Sequence, residues 1–291
     1  MQIVHTEADL KQQTDAARAA GREIVFVPTM GALHAGHLSL VDLAKAPTDA
    51  ADAEAPFVVV SIFVNPLQFG AGEDFDRYPR TLDADAKLLE GRGADLLFAP
   101  DVDVVYPNGE AGANHKFAGP VGEILEGAVR PGHFDGMLTV VARLFDLAQP
   151  DRAVFGAKDA QQLFLVRRLA AEGYPRLKIQ AAQTVREPSG LAMSSRNRFL
   201  STDDARLATV LNRTLRTAAA ELEAGAAPTA VLDAHLEQLR VDAPQAKLDY
   251  LQLVSAKDFE PVSDDFEGQA ILLIAAKIGQ TRLIDNLEVF I

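Results

Sequence analysis

Apolar residues in the first half of the chain come as short unbroken runs separated by stretches of helical period. Residues 24–27 (Ile-Val-Phe-Val) and 57–64 are continuous and rich in β-branched side chains, and 95–98 and 153–155 are shorter runs of the same kind. Between them, 38–45, 82–90, 139–147 and 161–171 place apolar residues at helical spacing. Continuous rather than alternating strands are covered on both faces, so this half reads as a parallel sheet between helices. Around 183–201 the character changes. Leu207, Val210, Leu211 and Leu215 share a face of a helix capped by Ser201 or Thr202. A second helix follows Pro228, and then come strand-like runs at 248–254, 270–278 and 282–290. The Gly279-Gln280 pair reads as a hairpin turn. The pattern predicts two domains without internal repeats: an α/β domain over 1–184 and a smaller α+β domain with an antiparallel sheet over 185–291.

Composition narrows the class. A chain of 291 residues can bury two cores. No apolar run approaches the roughly 18 residues of a membrane span, and the start lacks the basic-then-apolar order of a secretory signal. The chain has no cysteine, which excludes disulfides and thiolate metal sites and makes the cytoplasm the expected location. The net charge of −13 argues against nucleic acid and anionic membranes as partners. Clustered basic residues therefore need local explanations.

Sites in parallel α/β sheets lie beyond the carboxyl ends of the strands, which directs attention to three loops. The first, Pro28-Thr29-Met30-Gly31-Ala32-Leu33-His34-Ala35-Gly36-His37, joins a strand to a helix. It sets two histidines at a helix N-terminus, whose unpaired N–H groups and partial positive charge suit polyphosphate. Gly31 and Gly36 have P-loop spacing, but His37-Leu38 stands where Lys and Ser/Thr belong, and GxGxxG is missing too. A zinc site on His34 and His37 lacks further ligands. The plain alternative is that a histidine only caps the helix.

The loop Asn65-Pro66-Leu67-Gln68-Phe69 is either a simple turn or a source of neutral donors and acceptors for a hydroxylated ligand. In Gly156-Ala157-Lys158-Asp159-Ala160-Gln161-Gln162, Asp159 suits an N-cap. Lys158 opposes the helix dipole unless an anion offsets it. Arg130-Pro131-Gly132-His133 is an anion contact or a surface turn. Farther along, Met193-Ser194-Ser195-Arg196-Asn197-Arg198 combines hydroxyls with guanidinium groups, which match phosphate oxygens, while nearby Glu187 offers charge pairing. Asp74, Asp76, Asp83 and Asp85 surround Arg77-Tyr78-Pro79-Arg80 and read as solvated helix faces, with Mg²⁺ traffic near ATP as the alternative.

These blocks closely resemble the pantothenate synthetase (pantoate–β-alanine ligase) family. The likeness covers 28–37, 59–69, 78–81, 127–136, 155–162 and 185–197, in order. Gln183 departs from the family's usual proline, and the Ala/Asp/Pro-rich connector 46–55 is long. The resemblance implies a homodimer with a Rossmann-like N-terminal domain and a smaller C-terminal lid. It also implies ATP- and Mg²⁺-dependent joining of (R)-pantoate to β-alanine through a pantoyl adenylate, releasing AMP and pyrophosphate. His34, His37, Lys158, Ser194, Ser195 and Arg196 would face the ATP phosphates, with His37, His34, Lys158 and Arg196 catalytic. Gly156, Asp159, Val185 and Met193 would line the adenosine pocket. Gln68 and Gln162 would hold pantoate, and Met30 would lie against pantoate and ATP. Asn65 and Arg130 are further candidates. A nucleotidyltransferase, whose product keeps the nucleotide, and a non-catalytic nucleotide sensor are the competing readings.

Overall fold

Parallel strands β1 (Gln2–Val4), β2 (Ile24–Thr29), β3 (Phe57–Ile62), β4 (Leu96–Phe98), β5 (Arg152–Gly156) and β6 (Lys178–Ala182) form one sheet in the order β1-β4-β3-β2-β5-β6. The computed structural model describes residues 1–46, 54–70 and 75–291, so most of the 46–55 connector, and Asp74, lie outside the described residues. The connecting helices are α1 (Glu7–Ala19), α2 (Ala35–Lys45), α3 (Leu82–Arg92), the short α4 (Val102–Val105) and α5 (Glu126–Val129), α6 (His133–Ala148) and α7 (Ala160–Gly173). Val25, Val27, Val58, Val60 and Leu97 pack with Leu38 and Val41 of α2 and Leu89 of α3. Side chains alternate along a strand, and Phe26 and Phe98, interleaved with this set, are fully buried as well. Both faces are covered, which is why the strands read as unbroken apolar runs.

The sheet opens at one place. β2 pairs with β3 from Ile24↔Phe57 to Thr29↔Ile62, but with β5 only at Val25↔Arg152 and Phe26↔Ala153. The two strands part before their carboxyl ends, where the strand order reverses: the chain runs outward from β2 through β3 and β4, then lays β5 and β6 on the other side of β2. Such a reversal leaves a crevice between the diverging loops.

Contacts divide the chain into two compact units, 1–157 with 165–182, and 158–164 with 183–291. In the second, α8 (Thr202–Glu223) and α9 (Pro228–Asp242) cover one face of an antiparallel sheet of β7 (Lys247–Ser255), β8 (Gln269–Ile278) and β9 (Thr281–Phe290). Leu211, Leu215 and Leu222 of α8 pack on Leu253, Leu272, Ile274 and Leu283. Ser201 caps α8, its hydroxyl accepting the Asp204 N–H at 3.1 Å. Ile278 pairs with Thr281, so Gly279-Gln280 is the whole turn, with Gly279 at φ +57. The predicted α/β and α+β architecture is therefore observed. Unpredicted elements are β1, α1, β6 and the short helices α4 and α5.

Candidate active site

The loop leaving β2 is held by an acid from another helix. Gly31 (φ +85) and Ala32 (φ +51) are consecutive left-handed residues, a conformation that disfavours alanine. Asp85 of α3 supports them: its carboxylate accepts the N–H of Ala32 at 2.9 Å, the N–H of Leu33 at 2.8 Å and the Thr81 hydroxyl at 3.0 Å. This corrects the solvated-face reading for Asp85, which is only 2% exposed, whereas Asp76 and Asp83 are exposed. A side chain at Gly31 would place its Cβ 3.2 Å from this carboxylate.

The histidines follow directly. His34 is the N-cap of α2, and its Nδ1 accepts the Gly36 N–H at 3.1 Å. Nδ1 of His37 accepts the His34 N–H at 3.3 Å, completing a reciprocal capping box usually built from a hydroxyl and a carboxylate. Because each Nδ1 receives a backbone proton, each imidazole is neutral and carries its own proton on Nε2. The structure thus revises the expectation of open N–H groups: imidazoles occupy those of His34 and Gly36. The capping reading and the functional one are compatible, since capping uses one nitrogen of each ring.

The loop leaving β3 is a turn of 3₁₀ helix, Pro66–Gln68, capped by Asn65. Asn65 is fully buried, and its hydrogen-bonding groups serve the protein itself. Its Nδ2 donates to Gln68 Oε1 and to the Gly136 carbonyl, both at 3.1 Å. Its Oδ1 accepts the Tyr106 hydroxyl at 2.8 Å and the Leu67 N–H at 3.3 Å. Asn65 therefore orients Gln68, which is 8% exposed. Burial, with a smaller contribution from Glu110, pushes the Tyr106 phenol above its ordinary range. Gly136 on α6 lets the helix approach, since a Cβ there would lie 1.9 Å from the Leu67 carbonyl oxygen. Arg130 and His133 turn inward to the same loop, donating to the Gln68 carbonyl at 3.3 and 2.9 Å. Arg130 also meets His133 Nε2 at 3.1 Å. Met30 sits partly buried just past β2, and Gly156 ends β5, where an added Cβ would lie 4.0 Å from the Leu40 side chain.

The remaining predicted residues belong to the second unit. The Asp159 carbonyl accepts the Leu163 N–H at 2.9 Å, which puts Asp159 at the start of α7. Lys158 is mostly buried, with Nζ 3.6 Å from Asp159 Oδ1. Gln162 lies in the first turn of α7 and is partly buried. Residues 185–193 form a narrow antiparallel loop, with Arg186 bridged to Ala192 and the Met193 N–H donating to the Val185 carbonyl at 2.9 Å. Ser194 caps a turn of 3₁₀ helix (Ser195–Phe199), its Oγ accepting the Arg196 N–H at 3.2 Å. Ser195 is partly buried and Arg196 exposed. Glu187 accepts the Asn197 amide at 2.7 Å. Arg186 instead forks onto buried Asp285 at 2.6 and 3.0 Å, a pair the sequence reading missed.

An open parallel sheet with polar loops at its reversal point, neutral histidine donors on one of them, defines a Rossmann-like enzyme of the nucleotide-using kind. The chain belongs to the pantoate–β-alanine ligase family, whose model, described as Pantoate-beta-alanine ligase, matches residues 2–288. It is 54% identical to the pantothenate synthetase of Leifsonia xyli over 93% of this chain and 90% of that one. It is 49% identical to the Nocardioides enzyme of the same name, over 99% and 85%. A solved pantothenate synthetase from Thermus thermophilus is 46% identical, with TM-score 0.87 and full coverage of both chains. A Francisella tularensis pantoate–β-alanine ligase, solved complexed with β,γ-ATP and β-alanine, is 34% identical with TM-score 0.73, covering 99% of this chain and 97% of that one. The activity is ATP-dependent ligation of pantoate and β-alanine to pantothenate, through a pantoyl adenylate.

Proposed function

We propose that His34 and His37 act in this reaction as neutral Nε2–H donors to the ATP phosphates, assisted by the cations Lys158 and Arg196. The observation that carries this reading is the reciprocal capping, which leaves each ring a donor rather than a base. The pantoate carboxylate, with an ordinary pKa near 4, is ionised at neutral pH and attacks the α-phosphorus without a general base. Charge then builds on the bridging and pyrophosphate oxygens. Fixed donors stabilise it without reorganising.

Ser194 and Ser195 add hydroxyl donors to the phosphates. Gly156, Asp159, Val185 and Met193 line the adenosine pocket, and Gln68 and Gln162 hold pantoate with Met30 against it. Asn65 and Arg130 support Gln68. The nucleotide- and pantoate-binding role falls to 1–184 and a water-excluding lid role to 185–291. Among the described residues no group of three His, Asp or Glu side chains could hold a metal ion. We place Mg²⁺ on the ATP phosphates, whose hard oxygens together with water suit its octahedral shell. In the second step the β-alanine amine must react neutral, a form held by only about one molecule in a thousand at pH 7.

No helix among the described residues is long and apolar enough to cross a membrane, which is consistent with a cytoplasmic enzyme. A homodimer is the assembly that the family resemblance implies, and it is part of this proposal.

Pantoate-dependent exchange of labelled pyrophosphate into ATP, measured without β-alanine, tests the scheme. Exchange that ignores pantoate, or that requires β-alanine, overturns it.

A further inference from the structure

We propose that Asp285 and Asn286, neighbours on β9, are positioning residues that tie Lys158 and the serine–arginine loop to one strand. The proposal rests on the reading of Lys158, Ser194, Ser195 and Arg196 as ligands of the ATP phosphates. Neither Asp285 nor Asn286 stands out in the sequence, because a polar pair near the end of a strand is ordinary.

The connections are direct. Asn286 Nδ2 donates to the Lys158 carbonyl at 2.6 Å. The Asn286 N–H donates to Asp285 Oδ1 at 2.8 Å, so the carboxylate is fixed by its own successor. That carboxylate takes both arms of the Arg186 guanidinium, at 2.6 and 3.0 Å. Arg186 also donates to the Gly190 carbonyl at 3.2 Å and to the Asn286 carbonyl at 3.4 Å. It is bridged to Ala192, two residues before Ser194. Lys158 and Ser194 are thus joined through Asn286, Asp285 and Arg186 within the second unit.

Burial singles out the same pair. Along β9, Asp285 (4% exposed) continues the inward series of Thr281 and Leu283. Asn286 (6% exposed) lies on the opposite face, whose other members Arg282, Ile284, Glu288 and Phe290 are partly or fully exposed. A buried ion pair is a poor stabiliser compared with apolar residues of the same size. Its forked geometry is specific, however, and a flexible lysine places its ammonium only as well as its backbone is held. Loss of the Asn286 amide should therefore be felt in the phosphate chemistry.

The test uses the full chain with Asn286→Ala and Asn286→Leu, the second filling the space without a donor. Asp285→Asn strands the Arg186 charge and is the harsher variant. Two half-reactions are compared: pantoate-dependent pyrophosphate exchange, and pantothenate formation from supplied pantoyl adenylate and β-alanine. Both Asn286 variants should slow exchange by about 10–100-fold, as a misplaced ligand does. The KM for pantoate and the rate from supplied adenylate should stay within about twofold. Wild-type exchange, or equal losses in both half-reactions, overturns the proposal. Lys158→Ala run alongside separates the two levels: wild-type exchange in that variant removes Lys158 as a phosphate ligand, whereas slow exchange there with normal Asn286 variants removes only the positioning role.

Discussion

The rings of His34 and His37 stand 4.1 Å apart at one helix end, each Nδ1 accepting a backbone N–H of the turn they share. Any good capping residue could accept those protons. The imidazole adds a second nitrogen that carries a proton and can face an anion.

His34→Asn separates the two roles. Asparagine caps as well as any residue, so the melting temperature should stay near wild type, while His34→Ala should lose about 1 kcal/mol of stability. Pyrophosphate exchange should fall by about 10²–10³ in both variants, because both lack the Nε2 donor. Normal exchange in folded His34→Asn would leave His34 a cap only.

Asp85→Asn tests the support beneath the histidines. An amide can accept one of the Ala32 and Leu33 N–H groups but presents its own NH₂ to the other. The expected loss is about 1–3 kcal/mol in a denaturant titration, accompanied by slower exchange at saturating ATP. Unchanged exchange would show that the left-handed turn holds without the acid.

Gly136→Ala tests the proposed pantoate contact of Gln68. Its Cβ would meet the Leu67 carbonyl oxygen at 1.9 Å, so α6 or the Pro66–Gln68 turn must move. We expect a loss of about 1–3 kcal/mol from overpacking and a raised KM for pantoate, with the KM for ATP held. Equal rises in both constants would argue against a local effect on Gln68.

Alkaline titration tests Tyr106. Its phenol is raised in the folded state, chiefly by burial. Between the unfolded pKa of about 10 and the higher folded value, the unfolded chain has released a proton that the folded one keeps. Stability from this group is complete below about pH 10 and declines as pH rises through the folded value. Tyr106→Phe should be less stable near neutrality, having lost the bond to Asn65, and should show a shallower alkaline decline. Melting temperatures from pH 8 to 11 would decide, and parallel curves would exclude Tyr106 as the source.

The central sheet was legible because its strands are buried on both faces, and such strands announce themselves as apolar runs. The hairpin at Gly279-Gln280 was legible from turn chemistry alone. β6 (Lys178–Ala182) was not, since an edge strand containing Lys178 and Gln180 has no apolar run. Helix α1 buries only Leu10, Thr14 and Ala17, a stripe with one large apolar side chain, too weak a period to read. β1 has three residues, too few to show any period.

For the proposed site, local order within the chain determined which residues became candidates: histidines after a strand, a glutamine on a tight turn, a lysine at a helix start, serines beside arginines. Those are contiguous motifs, and their character follows from the backbone geometry of a strand end or helix start. Tertiary structure alone decided which side chains support them. Asp85 lies more than fifty residues from Ala32 and Leu33, and Asp285 lies ninety-nine from Arg186. In sequence each is one acidic residue among many. Only folding gives it buried partners, because a carboxylate leaves water only where backbone N–H groups or a guanidinium replace its hydration.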